Sequence, residues 1–539
     1  MAKKKNRLPR VAYFCMEYGL ESNFKIYAGG LGILAGDYLK GAKDFDFPMV
    51  GIGIKWKQGY SDQMIDGDGQ PFDSYHNYRY EFLEDTGISV EVQIRRRPVI
   101  CKVWKCTDFD NVDLYLLDTD VPGNEDAWIT GQLYGWFGEE RVAQEMVLGI
   151  GGVRALRQLG IPVDVYHFNE GHALFAGFEL MREKRKAGST FEAAWKKTRK
   201  EVVFTTHTPV IQGNESHPLR RLQYMGAHLG MTQKQLKALG GDPFNMTVAA
   251  LRLSKKANAV AQLHGATAKK MWRKVKGRSK IIAITNGIHL PTWVDSEMLR
   301  AAKKDDDLWG RHVKNKKALI RFVKQRTGVK LDSRKLLIGF SRRAVPYKRS
   351  DLIFSKSKVV SPLLKSGKIQ IIFSGKTHPL DDNGKEIVAN LVAMMRKFPQ
   401  SVVYLENYDM TIGRHLTRGA DVWLNNPRRP KEASGTSGMK AAMNGVLNCS
   451  ILDGWWPEAC QHGVNGWQFG DAYENENEKK LDAHDRDALY KILLEEVLPT
   501  YYDDRPKWVK MMKASIQSTR EAFSVKRMLE EYYALLYSA

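Results

Sequence analysis

Two patterns of hydrophobic and polar positions alternate along this chain. Short runs of β-branched and apolar residues are separated by longer segments in which apolar residues recur at helical spacing, as Ile387, Leu391 and Met394 do within 386–398. Alternation of this kind predicts parallel βα units. The predicted strands are 48–54, 112–117, 163–168, 202–206, 335–340, 369–374, 402–405, 421–424 and 445–451.

The same pattern predicts two α/β domains, each a doubly wound, Rossmann-like sheet. A highly charged stretch from 295 to 331 separates the halves, so we expect domains at 1–295 and 296–539. The last helical segment, 505–537, is a candidate to return to the first domain. Glycine-rich tips follow several predicted strands, and ligands of such folds bind beyond the carboxyl ends of the strands.

Composition narrows the class of protein. With 539 residues, 43% hydrophobic, 46 glycines and 5 cysteines, the chain is neither a disordered tail, a collagen-like repeat nor a small disulfide scaffold. Its net charge of +22 would attract phosphates or polyanions. Because the basic segments are broken by Glu or Trp at helical spacing, solvated helix faces explain the charge better than a nucleic-acid surface.

Cysteine usage and the N-terminus predict a cytoplasmic protein. The five cysteines form no pattern with zinc spacing, so we expect reduced thiols and no metal site. The apolar run 11–16 is too short for a signal peptide, and no run of 18 apolar residues occurs. We therefore expect no membrane segment.

The segment Glu432 to Lys440, with sequence EASGTSGMK, is the strongest candidate for chemistry. Small and hydroxyl residues let backbone N–H groups approach an anion, and a following helix would point its N-terminus at the same place. A phosphate site is one interpretation. A Gly/Ser-rich turn capped by Ser434 or Thr436 is the other, and composition alone favours the turn.

This segment resembles the pyridoxal-phosphate attachment motif of the α-glucan (glycogen, starch, maltodextrin) phosphorylases. The match continues through Asn444 to Gly454, and other stretches extend the resemblance over most of the chain, from residue 28 to 454. They are the glycine loop 28–32, the basic phosphate segment 342–349, the stretch 405–408 that packs on the pyridine ring, and the sugar-site loop 285–288 with Trp293.

The resemblance implies a cofactor and a set of site residues. Lys440 would hold pyridoxal 5'-phosphate as a Schiff base. The implied catalytic residues are Lys440, Arg343, Lys348 and His207. The implied cofactor-binding residues are Lys440, Gly29, Gly30, Arg342, Tyr408, Thr436 and Ser437. The implied substrate-binding residues are Asn286, Glu432, Ala433, Ser434, Gly435 and His172.

The resemblance also implies an activity and an architecture. The reaction would be reversible, configuration-retaining phosphorolysis of α-1,4-glucan by inorganic phosphate to α-glucose 1-phosphate, with the cofactor phosphate as proton relay. Two Rossmann-like domains would face each other in the GT-B arrangement, with the active site in the cleft between them. The family habit suggests a homodimer, and the early glycine loop suggests a compact microbial enzyme without an N-terminal regulatory segment.

Other functions compete with this interpretation. A nucleotide-sugar glucosyltransferase resembling glycogen synthase has the same fold and a basic pair for a diphosphate, but it does not need Lys440 in its sequence context. A noncatalytic glucan- or polyanion-binding protein would use the positive charge alone. No carboxylate pair stands out as the acid and base of a glycoside hydrolase.

Overall fold

The computed structural model describes residues 7–304 and 306–538, and contains parallel and antiparallel strands. The strands are β1 (Val11–Phe14), β2 (Met49–Ile54), β3 (Asp62–Ile65), β4 (Pro71–Ser74), β5 (Glu84–Ile94), β6 (Arg97–Cys106), β7 (Leu114–Asp118), β8 (Val165–Asn169), β9 (Val202–Thr205), β10 (Ser216–His217), β11 (Phe244–Asn245), β12 (Lys256–Ala259), β13 (Lys280–Ala283), β14 (Leu336–Ser341), β15 (Ile369–Ser374), β16 (Val402–Leu405), β17 (Val422–Asn425), β18 (Leu447–Ile451) and β19 (Gly466–Phe469).

Helices connect most of these strands. They are α1 (Gly30–Asp44), α2 (Glu139–Met146), α3 (Gly152–Gln158), α4 (Leu174–Lys186), α5 (Phe191–Arg199), α6 (Leu219–Met225), α7 (Gln233–Gly240), α8 (Met246–Leu253), α9 (Gln262–Met271), α10 (Leu290–Trp293), α11 (Ser296–Lys304), α12 (Leu308–Thr327), α13 (Ser357–Lys365), α14 (Asp382–Lys397), α15 (Met410–Gly419), α16 (Thr436–Met443), α17 (Trp456–Ala459), α18 (Glu478–Ile492), α19 (Leu498–Asp503), α20 (Arg505–Thr519) and α21 (Val525–Glu531).

The described chain divides into two compact units. The first contains residues 7–60, 75–285 and 525–538, and the second contains 61–74 and 286–524. The C-terminal segment belongs to the core of the first unit, where Val525 packs so closely on α1 that a Cβ on Gly41 would lie 2.6 Å from its Cγ1.

The first unit is built on a nine-stranded sheet in the order β13-β12-β9-β8-β1-β2-β7-β6-β5. The strands from β13 to β7 are parallel, whereas β6 and β5 are added as an antiparallel hairpin at the β7 edge. The strand order reverses between β1 and β8, which is where ligands bind in doubly wound sheets.

The second unit is built on a six-stranded parallel sheet in the order β16-β15-β14-β17-β18-β19. Successive residues of β14 enter different cores: Leu336 and Ile338 pack in one apolar cluster and Leu337 in another. Because side chains alternate across a strand, both faces of this sheet are covered, as parallel sheets require. The order reverses between β14 and β17.

The predicted α/β class with parallel sheets is confirmed. All nine predicted strands occur, and the bounds of β15 and β16 coincide with the prediction. The predicted helical segment 505–537 is interrupted between α20 and α21. A π-helical turn at Val147–Gly151 separates α2 from α3. The β5–β6 hairpin was not predicted.

In the described ranges, no helix is long and apolar enough to cross a membrane. All five cysteines are free thiols, four of them buried and Cys460 partly buried.

Candidate active site

The predicted basic segment and the predicted motif meet at the strand-order reversal of the second unit. Arg342 directly follows β14, and the loop to Glu432 follows β17, its neighbour in the sheet. Because parallel strands end at the same edge, both segments lie beyond the same carboxyl ends. The two segments therefore lie close together within the second unit.

Glu432 is held by two cations of the basic segment. Its Oε2 accepts hydrogen bonds from Arg342 Nη2 and from Lys348 Nζ, the latter at 3.2 Å. Burial alone would raise the pKa of Glu432, but the charges of Arg342 and Lys348 lower it below its usual value. Glu432 is therefore a carboxylate at neutral pH.

Among the cations near Glu432, Lys348 has a strongly lowered pKa. Its side chain is 12% exposed, and burial lowers its pKa to about 7, with the neighbouring charge of Arg342 adding to the effect. Glu432 opposes the shift without abolishing it. A lysine that titrates near neutrality can change the charge of the site within the physiological pH range.

Arg343 differs from its neighbours because its side chain is exposed and, within the described ranges, has no ion-pair partner. Its charge still acts on Glu432, whose pKa it lowers. A guanidinium in this position can offer its fork of N–H donors to a phosphate. The structure thus separates one arginine engaged by a carboxylate, Arg342, from one that is available to a ligand.

Lys440 lies on α16, where its amine meets an aromatic ring. The residue is 4% exposed, and Nζ is 3.5 Å from the centre of the Trp293 ring. Asn444 fixes this pair, since its Nδ2 donates to the carbonyl oxygens of Lys440 at 2.8 Å and of Trp293 at 3.2 Å. The amine is therefore held in a defined place inside the second unit.

The loop before α16 has the features of an anion site. Gly435 has φ 85°, and no side chain caps the helix that begins at Thr436. A Cβ on Gly435 would lie 3.4 Å from Arg342 Nη1, so the glycine gives the cation access to the helix N-terminus. Arg342 Nη1 also donates to Ser437 Oγ at 3.4 Å.

Buried polar atoms in this loop suit a bound polar group. Ser434 is 4% exposed, and its Oγ has no hydrogen-bond partner, which is costly for a buried hydroxyl. Ala433 beside it is half-buried. A buried primary amine for an aldehyde and an uncapped helix N-terminus with an arginine for a phosphate fit pyridoxal phosphate.

Asp453 stabilises the loop that contains Glu432 by accepting backbone hydrogen bonds. Its Oδ2 accepts from the backbone N–H of Glu432 at 2.9 Å, and its Oδ1 accepts from that of Gly454 at 2.8 Å. Burial raises the pKa of Asp453 to about 8, and the negative charge of Glu432 adds to this. A Cβ on Gly454, at φ 59°, would lie 2.2 Å from the Ser434 oxygen, so this turn requires glycine.

Residues 406–408, which follow β16, make two kinds of contact. Glu406 accepts from the backbone N–H of Ile65 at 2.7 Å, and Asn407 Nδ2 donates to Asp62 at 2.9 Å, so both hold the β3–β4 hairpin. Tyr408 packs against the apolar cluster of the second unit instead. Burial raises the pKa of Tyr408 to about 12, and the charge of Arg342 counteracts this shift.

In the first unit, His207 follows β9 and is fixed by Asn169, the last residue of β8, and by Glu170 next to it. His207 Nε2 lies 2.7 Å from Asn169 Oδ1, and the His207 backbone N–H donates to Glu170 Oε1. Because the amide oxygen only accepts, this arrangement places the imidazole proton on Nε2. Burial lowers the pKa of His207 to about 3, so the ring is neutral at pH 7.

His172 and Asn286 lie in different units. His172 is on the turn after β8 in the first unit, with its ring 5.6 Å from the Tyr134 ring, and burial lowers its pKa to about 4. Asn286 is a buried residue of the loop after β13 and belongs to the second unit. His172 therefore accompanies His207, and Asn286 accompanies Lys440.

The glycine loop also belongs to the first unit. Gly30 begins α1, and a Cβ on Gly29 or Gly30 would meet nothing within 4 Å, which leaves room for a ligand close to the backbone. However, the amides of Ala28 and Gly29 donate to Glu17 Oε2 at 2.7 and 3.0 Å. These two amides are engaged by a carboxylate rather than held ready for an anion.

The sequence analysis did not identify several residues that position the predicted site residues. Glu17 fixes the glycine loop, Asn169 orients His207, Asn444 joins Lys440 to Trp293, and Asp453 supports Glu432. Asn169 is the last residue of β8, and Glu17 lies three residues beyond β1; these are the two strands at the order reversal of the first sheet. A polar residue at or just beyond the carboxyl end of such a strand is the signal that could have identified them.

Comparison with known proteins agrees with this geometry. Residues 295–491 match the family model described as carbohydrate phosphorylase. The chain is 39% identical to the maltodextrin phosphorylase of Thermococcus litoralis, over 98% of this chain and 70% of that protein. It is 36% identical to the glycogen phosphorylase of Aquifex aeolicus, over 98% of this chain and 86% of that protein.

A third relative has nearly the same extent. An uncharacterised protein of Methanocaldococcus jannaschii is 37% identical over 98% of this chain and 99% of its own length. The similarity thus spans both units rather than one motif. From the arrangement of the Lys440 and Arg342 segments and these matches, we conclude that the chain belongs to the carbohydrate phosphorylase family, with the α-glucan phosphorylases.

Proposed function

We propose that this chain catalyses the reversible, configuration-retaining phosphorolysis of α-1,4-glucan by inorganic phosphate to α-glucose 1-phosphate. One observation supports this proposal most strongly: a buried lysine amine and a cluster of cations lie on segments that follow neighbouring strands of one sheet. A phosphate-dependent reaction needs the cations, and a pyridoxal cofactor needs the amine.

The residues that would hold pyridoxal 5'-phosphate come mainly from the second unit. Lys440 would bind the aldehyde covalently, while the N-terminus of α16, at Thr436 and Ser437, would receive the phosphate together with Arg342. Tyr408 would contact the ring. When bound, the cofactor supplies a phosphate group that relays a proton at the substrate phosphate.

The other proposed site residues act on phosphate and sugar. Arg343 and Lys348 would bind the substrate phosphate and reduce its repulsion from a second anion. Glu432, kept ionised by its cations, would accept hydrogen bonds from sugar hydroxyls, with Asn286 and the 433–435 backbone beside it. His207, neutral at pH 7, would contact the reacting sugar through its ring and main chain.

The proposal requires residues of both units at one substrate. Gly29, Gly30, His172 and His207 come from the first unit, whereas the lysine and the cations come from the second. We therefore propose the GT-B arrangement, two facing Rossmann-like domains with the active site in the cleft between them. The domain limits at residue 295, the homodimer and the cytoplasmic location stay predictions.

The two competing functions make different use of the same residues. A nucleotide-sugar glucosyltransferase would use the cations for a diphosphate but leaves the buried amine of Lys440 without a role. A polyanion-binding protein would use the net charge of +22 and predicts salt-sensitive binding without chemistry.

The deciding experiment supplies maltodextrin and either inorganic phosphate or a nucleotide sugar to the cofactor-loaded protein. We expect glucose 1-phosphate to form only when phosphate, maltodextrin and pyridoxal phosphate are all present, and no glucosyl transfer from UDP-glucose or ADP-glucose. Transfer from a nucleotide sugar without phosphorolysis would establish the transferase instead. Retained binding of glucan with neither reaction would favour the binding protein.

The pKa of Lys348 predicts how the affinity for phosphate depends on pH. With a pKa of about 7, the side chain is charged below this pH and loses its proton above it. We expect the affinity of the protein for inorganic phosphate, measured by calorimetry, to fall as the pH rises through 7. In Lys348→Arg the guanidinium stays charged, so this decline should be smaller. Equal pH profiles for the two proteins would contradict the assignment.

A further inference from the structure

Three side chains of the first unit converge on one point. Glu145 lies on α2, Glu215 precedes β10, and His217 is the second residue of that strand. One oxygen of each carboxylate and one imidazole nitrogen all lie within 4.8 Å of one another. Two carboxylates and an imidazole at this spacing are the donor set of a metal site.

Unsatisfied atoms point into this cluster. Glu145 is 0% exposed, and neither of its carboxylate oxygens has a hydrogen-bond partner. His217 is 2% exposed, and its Nε2 lacks a hydrogen bond, with Glu215 Oε1 at 3.7 Å. Buried carboxylates without partners are costly and rare in proteins. A cation among the three groups would satisfy both Glu145 and His217.

Titration behaviour agrees with this geometry. Burial raises the pKa of Glu145 well above its usual value, and the nearby Glu215 carboxylate raises it further. Burial lowers the pKa of His217, which leaves the imidazole neutral at pH 7. A neutral imidazole is the form that binds a metal, and a cation would remove the repulsion between the carboxylates.

Two arginines and a second histidine surround the cluster. The positive charge of Arg141 lowers the pKa of Glu215 and opposes the rise in the pKa of Glu145. Its Nη2 donates to the Trp136 oxygen at 3.2 Å, and its guanidinium lies 4.8 Å from the Tyr134 ring. Arg221 Nη1 is 3.5 Å from His217 Nδ1, a long contact that must open when Nδ1 carries the proton. His172, with a pKa of about 4, adds no charge at neutral pH.

We propose that Glu145, Glu215 and His217 bind a divalent first-row transition-metal ion such as Zn²⁺. The imidazole nitrogen selects this class, because Mg²⁺ and Ca²⁺ prefer sites made wholly of oxygen ligands. Three protein ligands leave further positions to water. The proposal does not depend on the phosphorolytic activity.

The consequence of such a site is a link between separate parts of the first unit. Glu215 and His217 lie on the connection that starts at His207, and β10 is paired with β11 through His217 and Phe244. Glu145 belongs to α2, about 70 residues earlier in the chain. An ion bound by all three would fasten this connection to α2 and so restrict the segment that follows His207.

The test uses the full chain after removal of metals with a chelator. We expect wild type to bind a single Zn²⁺ per chain tightly, and Co²⁺ in its place to give the absorption bands of an ion bound by protein ligands. In Glu145→Gln and His217→Ala, the affinity should fall at least about tenfold. Glu140→Gln, on the same helix but outside the cluster, is the matched control and should bind like wild type.

Several outcomes would overturn the site. Wild type that binds neither Zn²⁺ nor Co²⁺ at micromolar concentration would contradict the site. Zn²⁺ binding that Glu145→Gln and His217→Ala leave unchanged would place the metal elsewhere. Circular dichroism checks that the variants fold. If a variant does not fold, the Co²⁺ spectrum of wild type still tests the site. Zn²⁺ binding is measured independently of phosphorolysis. A protein without phosphorolytic activity would therefore contradict the proposed function but not the metal site.

Discussion

Replacing Lys440 with alanine is expected to abolish retention of pyridoxal phosphate and to lower the rate of phosphorolysis by at least about 10³-fold, the scale of losing an essential group. The amine is the covalent anchor proposed for the cofactor, and it is buried 3.5 Å from the Trp293 ring. Borohydride reduction and peptide mass mapping should place a pyridoxyl adduct on Lys440 in wild type and nowhere in Lys440→Ala.

Two variants separate the covalent role of Lys440 from its charge. Lys440→Arg keeps a cation that can contact Trp293 but removes the primary amine, so it should lose the adduct and the activity as well. Lys365→Ala removes an exposed lysine from the end of α13 in the same unit and should retain both. An active Lys440→Ala protein with bound cofactor would show that the anchor is assigned to the wrong residue.

Replacing Arg343 with alanine should damage the reaction while leaving the fold intact. We expect the KM for inorganic phosphate to rise and kcat/KM to fall by roughly 10²- to 10³-fold, as when a preorganised donor to a reacting anion is removed. Since the side chain is exposed, the free energy of unfolding should change by no more than about 0.5 kcal/mol. Steady-state kinetics over a phosphate series and denaturant titration measure the two quantities.

The control for Arg343 lies at the other end of the same strand. Arg334 precedes β14, is 86% exposed and pairs with Asp332, so Arg334→Ala should keep both kinetics and stability. Arg342→Ala would be a poorer test, because it removes a buried partner of Glu432 and leaves that carboxylate less compensated. Unchanged phosphate kinetics in Arg343→Ala would remove this residue from the proposed phosphate site.

The sequence determined the fold class because strand and helix periodicity are local properties. Apolar runs bounded by polar residues located β15 and β16 to the residue, and the EASGTSGMK segment was placed after a strand and before a helix, where α16 begins. The five-part resemblance to phosphorylases came from residues that are close together in the chain. These signals need no knowledge of how distant segments pack.

Tertiary structure decided which residues meet. Hairpin β3–β4 is grouped with the second unit, and segment 525–538 with the first, because their contacts are made far away in the chain. It also assigned Arg342 to Glu432 and left Arg343 exposed, although the two arginines are adjacent in sequence. Neighbouring residues on an irregular loop can point in different directions, so no periodicity distinguishes them.

The same limit applies to the supporting residues and to the proposed metal site. Asp453 and Asn444 act through backbone N–H and C=O groups, which carry no sequence signature. Glu145 and His217 have no spacing typical of a metal motif, because α2 and β10 come together only when the first unit folds. The sequence by itself determined the α/β class, nine of the strands and the segment that contains the proposed cofactor lysine. Packing between residues far apart in the chain decided which charged groups pair and which buried polar groups have no partner.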